Sequence, residues 1–279
     1  MPSSLTRRLS VCADDFGLTP AISAVIAELA WRGRLSAVSC LVTASPWRAQ
    51  ANRLLPLPRT VERGLHFNLT EGRPLSPALR DLWPLFPPLP RLLRDACLHR
   101  LPLPAIAAEW RAQWQAFVDG TGRLPDFVDG HQHVHQLAGV RGIVLEGIAA
   151  AGGPVAVRNT GQPAGPAGAL KRAVIRATGG RALQAELRRR GVPHNAVLLG
   201  AYDFRDADYR ALVRRWLDRA PSAGGLLFCH PGGGRDAADP IAAAREREAA
   251  YLGGDAFLAD LQEAGFSLGP AWLGRSSGG

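Results

Sequence analysis

A chain of 279 residues, 47% hydrophobic and 20% charged, can bury a substantial core and is not disordered. Its net charge of +9 and pI near 10.5 raise nucleic acid, anionic lipid or an acidic substrate as partners. Yet Lys171 is the only lysine, and the arginines are scattered except at Arg188-Arg189-Arg190, which favours a solvated basic surface. No apolar run reaches the roughly 18 residues of a membrane helix, no signal-peptide core follows Met1-Pro2, and Cys12, Cys40, Cys97 and Cys229 form no C-x-x-C pair. A cytoplasmic protein with free thiols and no membrane span is expected.

Leu9 to Ala13 reads as a buried strand running into Asp14-Asp15-Phe16-Gly17. Thr19-Pro20 opens a helix, Thr as N-cap and Pro at the first helical position, and Gly33 stops it. Leu35 to Val42 is a second strand-like run, Ser45-Pro46 caps a short helix, and Val61 to Leu69 is a third strand carrying His66. This alternation predicts a parallel sheet with crossover helices. A proline- and leucine-rich stretch, about residues 72–104, interrupts it. Repeated proline forbids a central strand or long helix there, so the stretch reads as an insertion packed over one end of the domain, as a lid or as a surface excursion with no role. Ala105 to Val118 has helical spacing through Ile106, Trp110, Trp114 and Phe117. Phe127 to His131 is the fourth strand, and Val155 to Val157 the fifth, ending in Arg158-Asn159. A long arginine-rich helix follows to Gly191. Ala196 to Leu199 is a sixth strand, Gly225 to Cys229 a seventh ending at His230, and Phe266 to Leu268 the last. Seven or eight strands alternating with helices predict one α/β domain over residues 1–279, a (β/α) barrel or a distorted relative.

The densest signal is Asp129-Gly130-His131-Gln132-His133-Val134-His135. In extended backbone, residues i, i+2 and i+4 share a face, so the spacing predicts three imidazoles projecting together. Asp14, Asp15, His66, His131 and His230 all fall at C-terminal ends of predicted strands, which in a parallel barrel form one rim. One carboxylate and two imidazoles make an open metal site with room for water and substrate; Asp15, His66 and His131 are the expected ligands. Asp14 is the expected base and His230 the expected acid of a metal-assisted hydrolysis. Ordinary structural explanations exist for the pieces: Asp-Asp as a turn and cap, His66 as a hydrogen-bonded core histidine, His230-Pro231 as a tight loop. His133 and His135 take supporting or substrate-facing places.

Ala13-Asp14-Asp15-Phe16-Gly17, Gly64-Leu65-His66-Phe67-Asn68-Leu69-Thr70, the His131 to His135 motif and Cys229-His230-Pro231-Gly232 occur in this order over most of the chain. In these motifs the sequence resembles the YdjC-like carbohydrate deacetylases. The resemblance implies a β/α-barrel-like fold and hydrolysis of an N-acetyl group on an amino sugar, carried by an oligosaccharide or glycolipid, with release of acetate. It aligns Asp15, His66 and His131 with the ligands of one divalent ion, zinc or magnesium first, with manganese, cobalt and nickel also open. It aligns Asp14 with the base, and adds His230 as acid and Arg158 as a site residue. Phe67, Asn68, His133 and His135 stand as substrate-binding or supporting residues, with Phe16, Phe67 and Trp83 offering aromatic platforms for a sugar. Gln132 departs from members with histidine there, and the Pro-rich segment matches nothing in the family. Two other classes stay open. A binuclear hydrolase of phosphate esters or cyclic amides would take two metals per chain. A basic nucleic-acid-binding protein with structural zinc would need closed, cysteine-rich ligation, and no cysteine lies near the His131 to His135 cluster. No nucleic-acid partner is expected, and an exposed apolar insertion would suit a homodimer.

Overall fold

The computed structural model describes residues 7–166, 168–234 and 238–274. Strand β1 (Arg7–Phe16) leads into helix α1 (Pro20–Trp31), where the Thr19 hydroxyl accepts the Ile22 amide at 3.2 Å and Pro20 occupies the first turn. Strand β2 (Ala37–Cys40), helix α2 (Trp47–Ala51) and strand β3 (Glu62–Phe67) follow. The Pro-rich stretch then forms α3 (Pro77–Arg80) and α4 (Leu89–Cys97) before the long α5 (Leu103–Thr121). Each of these three helices places a proline in its first turn, where the missing N–H would be unpaired anyway. Buried Glu109 on α5 ties the segment down, its carboxylate accepting the Leu75 and Ser76 amides at 3.0 and 2.7 Å.

The chain continues through β4 (Phe127–Gly130), α6 (Val140–Ala151), β5 (Ala156–Val157), α7 (Ala169–Ile175), α8 (Arg181–Arg190), β6 (His194–Asn195) and β7 (Leu198–Leu199). It ends with α9 (Tyr209–Leu217), β8 (Gly225–Cys229), α10 (Ala242–Gly253), α11 (Asp255–Glu263), β9 (Phe266–Leu268) and β10 (Trp272–Leu273). The strand order is β10-β6-β5-β4-β3-β2-β1-β8-β7, with β9 also on β1; among the described residues only the β10–β6 pair is antiparallel. Strands β6 and β7 lie near opposite ends of this order, yet only Ala196 and Val197 separate them in the chain. Three Cα–Cα steps span at most about 11 Å. The sheet must therefore curl until its ends approach each other without pairing, giving a distorted, incompletely closed β/α barrel in which apolar strand faces and helices share the core.

Two elements differ from the sequence reading. The arginine-rich helix is not continuous: a wide turn over Arg176–Gly180 separates α7 from α8, with Gly179 at φ 131°. A Cβ at Gly179 would lie 2.1 Å from the Gln136 carbonyl oxygen, so the break lets the chain pass against the histidine turn. The sixth strand is likewise two short strands at the seam rather than one.

Fully buried Phe117 of α5 stacks on Trp47 of α2 with ring centroids 6.2 Å apart. Phe117→Ala is expected to cost about 3–5 kcal/mol in urea unfolding; a loss below about 1 kcal/mol would contradict this packing.

Candidate metal centre

The C-terminal ends of β1, β3, β4, β5 and β8 deliver the chemistry-bearing residues to one rim. Strand β1 gains a residue against β2 between Ala13 and Phe16, and Asp15 sits at φ 69°. In a regular strand Asp14 and Asp15 would face opposite sides; the bulge turns both into one cavity. On β3 and β4, His66 and Asp129 are register partners, and the His66 Nδ1–H donates to Asp129 Oδ1 at 2.7 Å. The Ser39 hydroxyl of β2 donates to the same oxygen at 2.5 Å.

The histidine cluster does not extend the strand. Residues His131–Gln136 form a 3₁₀ turn, with Gln132 at φ 51° and His133 at φ 63°, so the three imidazoles do not share a face. Gly130 makes the turn possible, because a Cβ there would meet the His135 amide nitrogen at 2.7 Å. His131 points to the aspartate pair, its Nδ1 lying 3.1 Å from Asp15 Oδ1 and 3.3 Å from His66 Nε2. His133 lines the cavity edge-on to Phe228, with its Nδ1 buried and unbonded. His135 is fully buried beneath, its Nε2–H donating to the Arg158 carbonyl at 2.9 Å.

Asp15, His66 and His131 each offer a ligand atom, all within 4.8 Å of one another. The outer nitrogen of each imidazole is already committed to a carboxylate: His66 Nδ1 to Asp129, and His131 Nε2 to Glu71 at 3.0 Å. Once a metal displaces the protons they share with Asp15, the inner nitrogens can present lone pairs, the tautomers that metal-ligating histidines adopt when a carboxylate backs them. Three acceptors this close demand positive charge between them. Burial alone would lower His66, but the Asp129 charge and hydrogen bond overcome it and lift His66 to about 10. His131 rises against burial through its bonds to Asp15 and Glu71. Asp15 falls well below the usual carboxylate range despite burial, held by His131, His66 and the Arg245 guanidinium, which donates to its Oδ2 at 2.8 Å. The donor set fits a divalent metal ion.

Beside it, the fully buried Arg158 guanidinium grips Asp14 with two hydrogen bonds of 2.7 and 2.6 Å and pairs with Asp129 Oδ2 at 2.5 Å. Burial raises the Asp14 carboxyl against the pull of Arg158. A second potential ligand group, Cys12, Asp14 and Asp129, surrounds this guanidinium, which lies 3.3 Å from Cys12 Sγ. Burial pushes the Cys12 thiol well up, so that group holds a cation of its own and a neutral thiol. It does not suit a second metal. His230 lines the cavity between Phe204 and Phe228; burial takes its imidazole well below 6.5, and its backbone N–H donates to Glu248 at 2.5 Å.

The expected aromatic platforms are absent from this site. Phe16 and Phe67 are fully buried core residues, Phe67 packing edge-on against Trp110, and Trp83 does not line the cavity. Aromatic residues at strand ends satisfied the barrel interior rather than the pocket. Asn68 is also buried; its amide accepts from the Thr70 and Glu71 backbone and so sets the turn that presents Glu71. Glu71, Asp129, Arg245 and Glu248 were not singled out in the sequence. Asp129 stood in plain view in the histidine motif, whereas Arg245 has no local signal among so many arginines.

A family model described as YdjC-like protein matches residues 8–263. The chain belongs to the YdjC-like family. Relatives of this YdjC-like chain include a carbohydrate deacetylase of Mus musculus, 38% identical over 163 residues, covering 56% of this chain and 51% of that protein. A chitooligosaccharide deacetylase of Proteus mirabilis is 36% identical over 148 residues, covering 50% and 54%. The matched region thus spans about half the length of these relatives. A solved structure from Enterococcus faecalis, named for cellobiose-phosphate cleavage, shares the fold with a TM-score of 0.73 at 22% identity, covering 95% of this chain and 98% of that one.

Asp129→Asn should weaken binding of added zinc about 10–100-fold, because His66 loses the carboxylate that orients it. Because metal must displace protons from His66 and His131, affinity should fall as pH is lowered, with protons released on binding. Calorimetry in buffers of different ionisation enthalpy measures both; pH-independent affinity without proton release would contradict this reading.

Proposed function

We propose that this protein is a metal-dependent hydrolase that removes the N-acetyl group from an amino sugar, releasing acetate. The observation that carries the reading is the convergence of Asp15, His66 and His131 beside Asp14 in one cavity of about 830 Å³. The deacetylase names of its relatives support the reaction class and the carbohydrate substrate.

Asp15, His66 and His131 would hold one divalent ion; two imidazoles and a carboxylate suit zinc, and magnesium, manganese, cobalt and nickel also accept such donors. When bound, the ion supplies Lewis acidity that polarises a carbonyl and acidifies water. Asp14, with its carboxyl raised by burial, is our base: it takes a proton from the water that adds to the acetamide carbon. Arg158 fixes the direction of that carboxylate through its two hydrogen bonds. His230 faces the same cavity and is our acid. Its imidazole is neutral at rest, so in this reading it relays a proton rather than storing one: the proton Asp14 takes from the water passes through His230 to the leaving nitrogen. Breaking the C–N bond then leaves acetate and a free amine. His133, with a buried unbonded nitrogen on the cavity wall, is our candidate to hold a sugar hydroxyl. The Pro-rich segment contributes Leu89 and Leu93 to the cavity, consistent with a covering role. The binuclear alternative is disfavoured, because Arg158 already fills the second ligand group.

Asp15→Ala should abolish acetate release from N-acetylglucosamine oligomers and lower metal content. Asp14→Asn should keep the metal and lower kcat about 10²–10⁴-fold. Near-normal turnover in either variant would overturn the assigned roles.

A further inference from the structure

Helix α7 and the wide turn after it carry an apolar stripe that faces solvent. Leu170, Ala173, Val174 and Ala177 recur at i, i+3, i+4 and i+7, the spacing that normally faces a core. All four are exposed, Leu170 to 78% and Val174 to 43%, while Ile175 of the same helix is the buried contact. In helical projection Lys171 and Arg176 lie about 60° beyond the two edges of the stripe; the Lys171 ammonium turns inward to the Tyr202 carbonyl at 3.1 Å and over the Phe204 ring at 4.2 Å, which leaves exposed Arg176 as the basic flank.

Charge points to the partner. From Gly147 to Ala185 the sequence contains no aspartate or glutamate, while Lys171, Arg172, Arg176 and Arg181 fall within it. Aliphatic residues on one helix face with basic residues alongside is the pattern of helices that lie in a bilayer interface. The stripe is also continuous with the cavity, since Leu170, Lys171 and Val174 line it. We infer that the α7 face docks this protein peripherally on an anionic lipid bilayer, with the mouth of the cavity turned toward the headgroups. Each basic residue near an anionic surface adds attraction that salt screens, and the two aliphatic side chains add burial that salt does not weaken.

The test is co-sedimentation of the full chain with vesicles of phosphatidylcholine alone or mixed with phosphatidylglycerol. Binding is expected to the mixed vesicles only, and to weaken at high salt. The double variant Leu170→Asp, Val174→Asp alters exposed positions, so it should keep the wild-type melting temperature while the bound fraction falls at least about tenfold. No binding to mixed vesicles, or equal binding by the double variant, would overturn the inference. So would a concentration-dependent dimer of the wild type, seen by sedimentation velocity, that the double variant dissolves, since a second copy would then be what covers the stripe.

Discussion

The rim depends on one buried ion cluster, the Arg158 guanidinium between Asp14 and Asp129. Three charges removed from water are costly unless their geometry and hydrogen bonds compensate. Here they do so by dividing labour. Arg158 pins Asp14, and Asp129 shares its other oxygen with Ser39 and His66. His66 in turn faces Asp15 and His131. A single cation on the end of β5 thus sets the direction of the proposed base and, through Asp129, of a proposed metal ligand. The carbonyl of the same residue accepts from His135 and anchors the turn that carries His131.

Local strain fits this picture. Asp15, Gln132 and His133 occupy left-handed backbone that costs about 1–3 kcal/mol each for residues other than glycine. All three lie at the point where β1 and β4 deliver side chains into the cavity. Regular strands would put Asp15 behind Asp14 and spread the three imidazoles over one face. The bulge and the 3₁₀ turn instead gather two carboxylates and His131, and send His133 and His135 to the wall and to the layer beneath.

Much of this was legible in the sequence because it rests on local signals. Apolar runs ending in Asp14-Asp15, His66, Asp129-Gly130-His131, Arg158 and His230 marked the strand ends, and strand–helix alternation marked the parallel sheet. Thr19-Pro20 marked the first helix start. What was not legible depends on contacts distant in sequence. A two-residue period reads as strand, so the turn at His131 was hidden until the close approach of Gly130 to His135 was known. The break before α8 was not read from Gly179-Gly180, because only the contact of Gly179 with Gln136 shows why it is needed. Phe67 reads equally well as sugar platform or core until burial decides. Arg245, Glu71 and Glu248 act through partners 18 to 230 positions away, which no local pattern records.

In the proposed function, one metal ion held by Asp15, His66 and His131 supports removal of an acetyl group. Its most direct test is titration of chelator-stripped protein with zinc while acetate release from N-acetylglucosamine oligomers is followed. Activity should rise linearly and level off at one zinc per chain. Acetate release by the stripped protein, or a plateau only at two zinc ions per chain, would contradict the account.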